Sequence, residues 1–355
     1  MTASIVATDE TILSAARILR QGGIVAFPTE TVYGLGAGIH KPEAAARVFE
    51  VKERPRFDPL IVHISRASDL HGVARSNDLA KRLGDVFWPG PLTLVLPKKE
   101  AVPDIVTAGL ATVAVRVPDN DVALRLIDLT GHPVAAPSAN RFGCISPTTA
   151  AHVAEKMGGA VDMILDGGPC RIGLESTILA IDQENHPTLL RPGGIPVQEI
   201  EKIIGPVALR KHTDTVIKAP GMLPRHYAPR TPIHLLNDTR LRPIETDRRI
   251  GLLTLDRPEE NLGYRTVEVL SRTGDLREAS ANLFAAMHRL DAAGLDLIHC
   301  RPVPETGLGA AIMDRLRRAA CSGHGASLDS EQFRGSGEHL SDQLGDDALG
   351  GDRLD

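Results

Sequence analysis

The sequence predicts a mixed α/β protein built from two domains. Segments with the helical spacing of apolar residues alternate with short apolar runs of strand length. Some neighbouring strands are joined by connections too short to hold a crossover helix, which favours a sheet that is not purely parallel. A length of 355 residues fits about two domains, and with 42% hydrophobic residues each domain can bury a core.

Residues 1–206 form the first predicted domain and carry most of this alternation. Its predicted helices are Thr8–Gln21, Lys41–Lys52, Asp78–Val86, Val122–Thr130, Thr148–Met157 and Ile195–Ile204. Its predicted strands are Ile24–Phe27, Leu60–Ile64, Pro89–Lys98, Thr112–Val117, Val134–Ala136, Met163–Asp166, Ser176–Ile181 and Thr188–Arg191. Gly22 and Gly23 provide a stop for the first helix, and Pro42 stands at an early helical position that suits proline.

Residues 207–321 predict a linker followed by a smaller domain. The linker, residues 207–231, has weak patterning and ends in a segment rich in Pro. Alternation returns in residues 232–321 and predicts a small α/β domain with a parallel sheet. Its strands are Ile233–Leu236, Arg249–Leu255, Thr266–Leu270 and Leu297–Arg301, and its helices are Leu276–Ala293 and Ala310–Ala319. Residues 322–355 lack periodicity and predict a disordered acidic tail.

Composition excludes several classes of protein. A net charge of -5 argues against a polycation that coats nucleic acid, although a local basic cleft stays open, and 3% aromatic residues leave few platforms for base stacking. The four cysteines show no CxxC pair and no metal spacing, so we expect reduced thiols. No basic segment followed by an unbroken apolar run opens the chain, and no apolar stretch reaches membrane-spanning length. We therefore expect a cytoplasmic protein without a membrane partner.

The turn after the second predicted helix concentrates positive charge. Lys52, Arg54 and Arg56 lie within five positions, and Pro55 and Pro59 stiffen the chain around them. Such a cluster is either a solvated turn or a binding site for phosphate or carboxylate. Its position at the mouth of an apolar strand favours the binding site.

Hydroxyl and amide side chains stand at the ends of other predicted strands. Thr31 follows the first strand, Ser138 and Asn140 follow the strand Val134–Ala136, and Ser176 begins a later one. Each of these groups can also serve only to cap a turn. No GxSxG motif or other nucleophile–base arrangement accompanies them. Together with the cations, the set suits binding and electrostatic stabilisation in a phosphoryl or acyl-phosphate reaction.

Arg116, His63 and a glycine cluster need separate interpretations. An arginine on an inward-facing strand position, as at Arg116, needs an anionic partner. His63 lies within an apolar strand, where a histidine is more often a hydrogen-bonded core residue than a ligand. The cluster Gly34–Gly38 does not fit GxGxxG, and GxxxxGK[ST] is absent. We interpret these glycines as turn or packing residues.

A set of motifs resembles the YrdC/Sua5 family of threonylcarbamoyl-AMP synthases. The motifs occur in the family order and cover residues from about Ala15 to Ala320. They are PTETVYGLGA, KERP with PLIVHI, WPGPLTLVL, VAVRVP, APSAN, SPT, ESTI, LLRPGGI, the linker APGMLPRHYAP and the terminal GLGAAIMDRLRRAA. The resemblance implies a YrdC-like twisted mixed sheet around a concave cleft, with a smaller Rossmann-like C-terminal domain.

The resemblance implies a reaction of L-threonine, bicarbonate or CO2, and ATP. The products would be threonylcarbamoyl-AMP, for the t6A modification of tRNA, and pyrophosphate. Mg2+ is implied as the cofactor, held mainly by the ATP phosphates. A handover of product to a t6A transferase complex and a weak contact with tRNA are also implied.

The resemblance further implies a role for each matching residue. Those implied to bind threonine are Thr31, His63, Arg116, Ala136 and Ser176. Those implied to bind ATP are Arg54, Asp58, Thr112, Ser138, Ser146, Arg191 and Tyr227, with Arg225 and His226 beside Tyr227. Those implied to hold bicarbonate and the reacting phosphates are Lys52, Arg54, Ser138 and Asn140.

Asp58 departs from the family pattern, in which Asn is expected at this position. A carboxylate that faces a phosphate would repel it. We therefore expect Asp58 either to face ribose, base or metal, or to form an ion pair with Arg54 or Arg56.

Two other functions compete with the synthase. An RNA-binding protein could use the same basic cleft, but the net charge and the few aromatic residues argue against it. A carbamoyltransferase of the hydrogenase-maturation type has a related domain, but such proteins are longer and carry zinc-finger cysteine pairs. The four scattered cysteines argue against the carbamoyltransferase hypothesis.

Overall fold

A computed structural model describes residues 3–210, 220, 222–223, 226–237, 247–258 and 262–321. Within these ranges the chain forms two β-sheets with helices packed against them. The predicted acidic tail and Arg225 lie outside the described residues. None of the helices in these ranges has the length and apolar character needed to cross a membrane.

The larger sheet contains eleven strands. They are β1 (Ser4–Val6), β2 (Ile24–Phe27), β3 (Gly34–Gly38), β4 (Ile61–His63), β5 (Leu92–Pro97), β6 (Thr112–Arg116), β7 (Val134–Ala136), β8 (Met163–Asp166), β9 (Thr177–Ile181), β10 (Pro187–Arg191) and β11 (Ala208–Leu209). The α-helices of this part of the chain are α1 (Asp9–Arg20), α2 (Pro42–Lys52), α3 (Leu70–Val73), α4 (Asp78–Phe87), α5 (Asp104–Thr107), α6 (Asp121–Thr130), α7 (Ala150–Met157) and α8 (Val197–Ile204).

Both strand orientations occur in the larger sheet, as the short connections predicted. The strand order is β1-β8-β2-β3-β7-β4-β6-β5-β9-β10-β11. β2 and β3 are antiparallel neighbours, whereas β4 and β6 run parallel. The strand β11 extends the sheet beyond residue 206, the predicted end of the first domain. This extension is too short to give a sequence pattern.

The strand β3 is the main element that the sequence analysis did not predict. Its glycines lie in the middle of the larger sheet. A Cβ atom on Gly36 would stand 2.8 Å from the side chains of both Phe27 and Val134. Contacts that close are not tolerated, so glycine is required for packing at this position. The packing interpretation agrees with this geometry, whereas the turn interpretation of this cluster is wrong.

The smaller sheet has the strand order β12-β15-β13-β14 and is parallel throughout. Its elements are β12 (Ile233–Leu235), β13 (Ile250–Thr254), β14 (Thr266–Val269), α9 (Leu276–Ala292), β15 (Leu297–Cys300) and α10 (Gly309–Ala320). The parallel sheet agrees with the sequence prediction. Its core also takes in Val32, Ile145 and Leu174 from the first part of the chain. The two sheets are therefore joined by buried apolar contacts.

Candidate active site

A cavity lies where several loops and strand ends of the larger sheet converge. Its wall includes the turn after β2, the strands β4 and β6, and the segment that follows β7. The closing segment, residues 226–228, contributes His226 and Tyr227 to the same wall. The cavity has a volume of about 40 Å³, which leaves room for a few water molecules.

Lys52 is the last residue of α2, and Arg54 follows two positions later; Arg54 lines the cavity, whereas Lys52 does not. We call the surroundings of these two residues the Arg54 end. Glu53 adopts a left-handed conformation with φ of 55°, which turns the chain sharply. The Lys52 ammonium group donates to Ser138 O at 2.6 Å and also to Asn140 O. Both cations are buried, at 1% and 6% exposure. The basic turn is thus an internal feature, apart from Arg56, which is exposed.

Asp58 forms an ion pair with Arg54, with Nη2 and Oδ2 2.9 Å apart. Arg54 also donates to the carbonyl oxygens of Asp58 and Pro59, at 3.0 and 2.8 Å. The ion-pair alternative for Asp58 is therefore confirmed. Burial raises the pKa of Asp58, while the charge of Arg54 opposes that shift. Burial also lowers the pKa of Arg54, and burial together with the charge of Arg54 lowers the pKa of Lys52.

Arg116, the last residue of β6, also lines the cavity, and we call its surroundings the Arg116 end. Its Nη2 atom is 2.6 Å from a carboxylate oxygen of Glu30, and its Nη1 atom donates to Thr31 Oγ1 at 2.9 Å. Arg116 and Glu30 are both almost fully buried. The predicted need of Arg116 for an anionic partner is confirmed. The partner itself, Glu30, was missed because its position in a turn gave no hint of burial.

His63 lies beside Arg116, since the parallel register of β4 and β6 pairs these two residues. Its Nδ1 atom is 3.1 Å from Ile61 O, and its side chain lines the cavity. Burial and the charge of Arg116 lower the pKa of His63 to about 3. The imidazole is therefore neutral near pH 7 and combines a buried, hydrogen-bonded position with a place in the cavity wall.

Ser176 and Arg191 lie together in the wall, although the resemblance implies different substrates for them. The Arg191 guanidinium donates to Ser176 O at 2.9 Å and to Ser176 Oγ at 3.2 Å. Ser176 Oγ also lies 2.7 Å from Thr93 Oγ1. Burial lowers the pKa of Arg191. Ala136 and Ser138, at the end of β7, complete this part of the wall.

Ser146, Asn140 and Thr112 do not line the cavity themselves. Ser146 Oγ donates to Glu175 Oε1 at 2.5 Å, and Glu175 does line it. The Asn140 amide donates to two backbone carbonyls of the loop that follows it. Thr112, the first residue of β6, pairs with Pro97 of β5 and points to the same face of the sheet as Arg116.

Glu175 and Arg315 are functional candidates that sequence reasoning missed. Arg315 belongs to α10, and its Nε atom donates to Glu175 Oε2 at 2.9 Å. The two residues are 140 positions apart in the chain. A contact between residues so far apart leaves no local sequence pattern. Both residues nevertheless lie within family motifs, Glu175 in ESTI and Arg315 in GLGAAIMDRLRRAA.

The closing segment is anchored by both parts of the chain. Ala228 N donates to Gly143 O at 2.8 Å, and His226 N donates to Arg318 O at 3.3 Å. The Tyr227 ring is fully buried and packs against Phe284 with ring centres 5.7 Å apart. Burial raises the pKa of Tyr227 and, with the nearby charge of Arg54, lowers the pKa of His226. This part of the linker is therefore a structured wall of the cavity.

The fold and the cavity define a two-sheet α/β protein with an enclosed, cation-rich site of the kind that binds anionic substrates. The family described as "Telomere recombination" (Sua5, YciO and YrdC) matches residues 17–193, and the C-terminal domain of threonylcarbamoyl-AMP synthase matches residues 195–321. The chain belongs to the Sua5/YciO/YrdC family, in its two-domain form.

Individual relatives support this membership over most of the chain. A threonylcarbamoyl-AMP synthase of Pyrococcus abyssi is 46% identical over 320 residues, which cover 86% of this chain and 93% of the relative. One from Bacillus subtilis is 43% identical over 330 residues, with 88% and 93% covered. The crystal structure of P. abyssi Sua5 complexed with L-threonine matches with a TM-score of 0.81 and 42% identity, over 90% of this chain and 97% of that one.

Proposed function

We propose that this protein is an L-threonylcarbamoyladenylate synthase, a nucleotidyltransferase that serves tRNA t6A modification. The observation that carries the proposal is one cavity whose wall holds the buried Arg54 and Arg116, with Lys52 buried close to Arg54. Relatives that share 43–46% identity over most of the chain are threonylcarbamoyl-AMP synthases. A carboxylate substrate, bicarbonate and a triphosphate together require several cations in one site.

The reaction would proceed in two steps. The neutral amine of threonine attacks CO2, forms a C–N bond and releases a proton, which gives N-carboxy-threonine. An oxygen of the new carboxylate then attacks the α-phosphorus of ATP, and the bond to the β-phosphate oxygen breaks. Threonylcarbamoyl-AMP forms and pyrophosphate leaves. No side chain acts as a covalent nucleophile, which agrees with a site built from cations, hydroxyls and amides.

Threonine would bind at the Arg116 end. Arg116 would pair with the threonine carboxylate, and Thr31, His63, Ala136 and Ser176 would surround the rest of the molecule. Glu30 already balances the charge of Arg116, so the arginine stays buried without substrate. Neutral His63 avoids adding another charge beside Arg116.

ATP and bicarbonate would bind at the Arg54 end. Lys52, Arg54, Ser138 and Asn140 would hold bicarbonate and the reacting phosphates. Contacts to the nucleotide would also come from Thr112, Ser146, Arg191 and Tyr227. Because Asp58 pairs with Arg54, we propose that Asp58 acts through that arginine and does not face the phosphates.

Mg2+ would bind mainly to the ATP phosphates. Among the described residues of the cavity wall, Glu175 is the one carboxylate, and its two oxygens already accept from Ser146 and Arg315. This donor set fits a metal that keeps several waters and relies on substrate phosphates. When bound, the metal would neutralise charge on the phosphates.

We also propose that the linker, residues 207–231, and the smaller domain, residues 232–321, gate the cleft. A volume of about 40 Å³ is far below the roughly 300–1,000 Å³ of ordinary ligand pockets. We therefore propose that the closing segment moves to admit ATP. The product would pass to a t6A transferase complex, with at most weak contact to tRNA, in the cytoplasm.

Pyrophosphate release from ATP tests the proposal directly. We expect release only when both L-threonine and bicarbonate are present, with threonylcarbamoyl-AMP as the second product by mass spectrometry. Serine and D-threonine are matched controls for the amino acid. Release that ignores threonine would contradict the assignment. Strongly salt-dependent tRNA binding without turnover would favour the RNA-binding alternative.

A further inference from the structure

Arg315 is a fully buried cation that belongs to the smaller domain and reaches the wall of the cavity. It is 0% exposed, and its Nε atom donates to Glu175 Oε2 at 2.9 Å. Its Nη1 atom donates to Pro192 O at 2.7 Å and to Asp314 at 2.9 Å. Desolvating a guanidinium is costly unless its partners are well placed, so this arginine holds a defined arrangement.

Glu175 links Arg315 to Ser146 through hydrogen bonds to both residues. One oxygen of Glu175 accepts from Arg315, and the other accepts from Ser146 Oγ at 2.5 Å. A second residue of the smaller domain acts on the same serine, since His288 Nε2 lies 3.2 Å from Ser146 O. Ser146 is therefore held at its hydroxyl and at its carbonyl by a network that begins in α9 and α10.

Arg315 also supports the closing segment. Its guanidinium carbon lies 5.1 Å from the centre of the Tyr227 ring, in a cation–π arrangement. Tyr227 lines the cavity, whereas Arg315 does not. Arg315 therefore contacts two elements of the wall, Glu175 and Tyr227, from behind.

The contact of Arg315 with Glu175 also has an electrostatic effect on the cavity. Glu175 is a carboxylate in the wall of a cavity that would receive a triphosphate, and it is only 6% exposed. A carboxylate without a cation at this position would repel the nucleotide through a medium that screens poorly. Arg315 also pairs with Asp314, but Arg318 balances the charge of Asp314, so Arg315 stays available to balance Glu175.

We propose that Arg315 is a positioning residue for the nucleotide: it orients Glu175, Ser146 and Tyr227 and cancels the charge that Glu175 would present to the phosphates. This inference rests on the proposed function. It identifies Arg315 as a side chain through which the smaller domain contributes to ATP binding. Among the described contacts, Arg315 has no hydrogen bond or ion pair with the side chains of Thr31, His63, Arg116 or Ser176, so we expect threonine binding to depend on it much less than ATP binding does.

The test is a double-mutant cycle of Arg315 and Glu175, read as separate KM values for ATP and threonine. Breaking a buried ion pair on one side is strongly unfavourable, so R315M should raise the KM for ATP roughly tenfold or more. The KM for threonine should change by less than about twofold. R315K keeps the charge but loses the planar set of donors, so its KM for ATP should lie between those of wild type and R315M. R317M is the matched control, because Arg317 lies on the same helix in an exposed pair with Glu305.

The double variant separates positioning from direct contact. If Arg315 acts by balancing Glu175, R315M/E175Q should recover an ATP KM within about threefold of that of E175Q alone. A larger gap between them would overturn the proposal, because Arg315 would then act on the nucleotide by a route other than the charge of Glu175. Equal increases in both KM values for R315M would also overturn it. If R315M does not fold, the pair E175Q and R315M/E175Q decides on the same criterion.

Wild-type activity separates this proposal from the proposed function. If wild type shows no threonine-dependent pyrophosphate release, the proposed function fails. The role of Arg315 is then measured by calorimetric titration of each variant with ATP. Tenfold weaker ATP binding by R315M, reversed in R315M/E175Q, would still support it. Unchanged binding by R315M would reject it.

Discussion

The two ends of the cavity region are built in different ways. The Arg116 end draws Thr31, His63, Arg116, Ala136 and Ser176 from strands and turns of the larger sheet. The Arg54 end combines the end of α2 with the closing segment, and behind its wall stands Arg315 of α10. One end is complete when a single sheet folds, whereas the other also requires the second domain. Substrate binding at the two ends should therefore respond differently to changes in the smaller domain.

Removal of the smaller domain should give the largest difference between the ends. A chain that stops after Arg210 keeps β11 but loses the closing segment and Arg315. It also loses the apolar side chains of the smaller domain that pack with Leu174. We expect it to stay folded by circular dichroism, to bind threonine, and to lose at least about a hundredfold in ATP-dependent turnover, because several charge-assisted contacts disappear together. A chain that ends at Cys321 keeps every described contact and serves as the control. Unchanged turnover after the first truncation would refute gating.

Lys52→Ala should have the next largest effect. The ammonium group lies between two backbone carbonyls at the Arg54 end, where it would meet the anionic substrates. A charge-assisted contact contributes about 1.5–3 kcal/mol, so kcat/KM for ATP should fall roughly tenfold to a hundredfold. K81A removes a lysine from an exposed pair and should leave kcat/KM unchanged. A K52A enzyme with wild-type kinetics would remove Lys52 from the proposed site.

Asp58→Asn should act in the opposite direction and more weakly. It removes a buried negative charge 2.9 Å from Arg54, so the field of that arginine on the phosphates increases. We expect the KM for ATP to fall by a few-fold, with the KM for threonine unchanged, in steady-state kinetics. E53Q, in an exposed pair with Arg141, is the control. A higher KM for ATP in D58N would mean that the carboxylate itself binds the nucleotide or its metal.

The smallest expected effect is on the pH dependence of folding stability, through the stacked pair His152 and His288. Their ring centres lie 4.0 Å apart, on α7 and α9. Burial and the neighbouring His288 lower the pKa of His152 from 6.5 to about 4, so the unfolded chain binds more protons than the native protein in this range. The native state should therefore lose stability as pH falls from about 6.5 to about 4. H152Q should reduce this slope in thermal unfolding experiments, whereas an identical slope would contradict the assignment.

The sequence predicted the Arg116 end more completely than the Arg54 end. The spacing of apolar residues and the turn residues located the strands. The polar groups at the strand ends indicated a site that binds anions. Glu30 escaped because a carboxylate in a turn has no pattern that reports its burial. Arg315 and Glu175 escaped because their contact depends on how the second domain packs. The strand β3 escaped because glycine has low strand propensity, and only its packing against Phe27 explains it.

The most direct test is calorimetric titration of two paired variants with threonine and with ATP, each alone. R116Q/E30Q removes the ion pair of one end, and R54Q/D58N removes that of the other, so neither variant leaves an uncompensated buried charge. We predict that R116Q/E30Q loses threonine affinity by about tenfold or more and keeps ATP affinity, and that R54Q/D58N shows the reverse. If each variant weakens both ligands to the same extent, the two ends do not divide the substrates and the account is wrong.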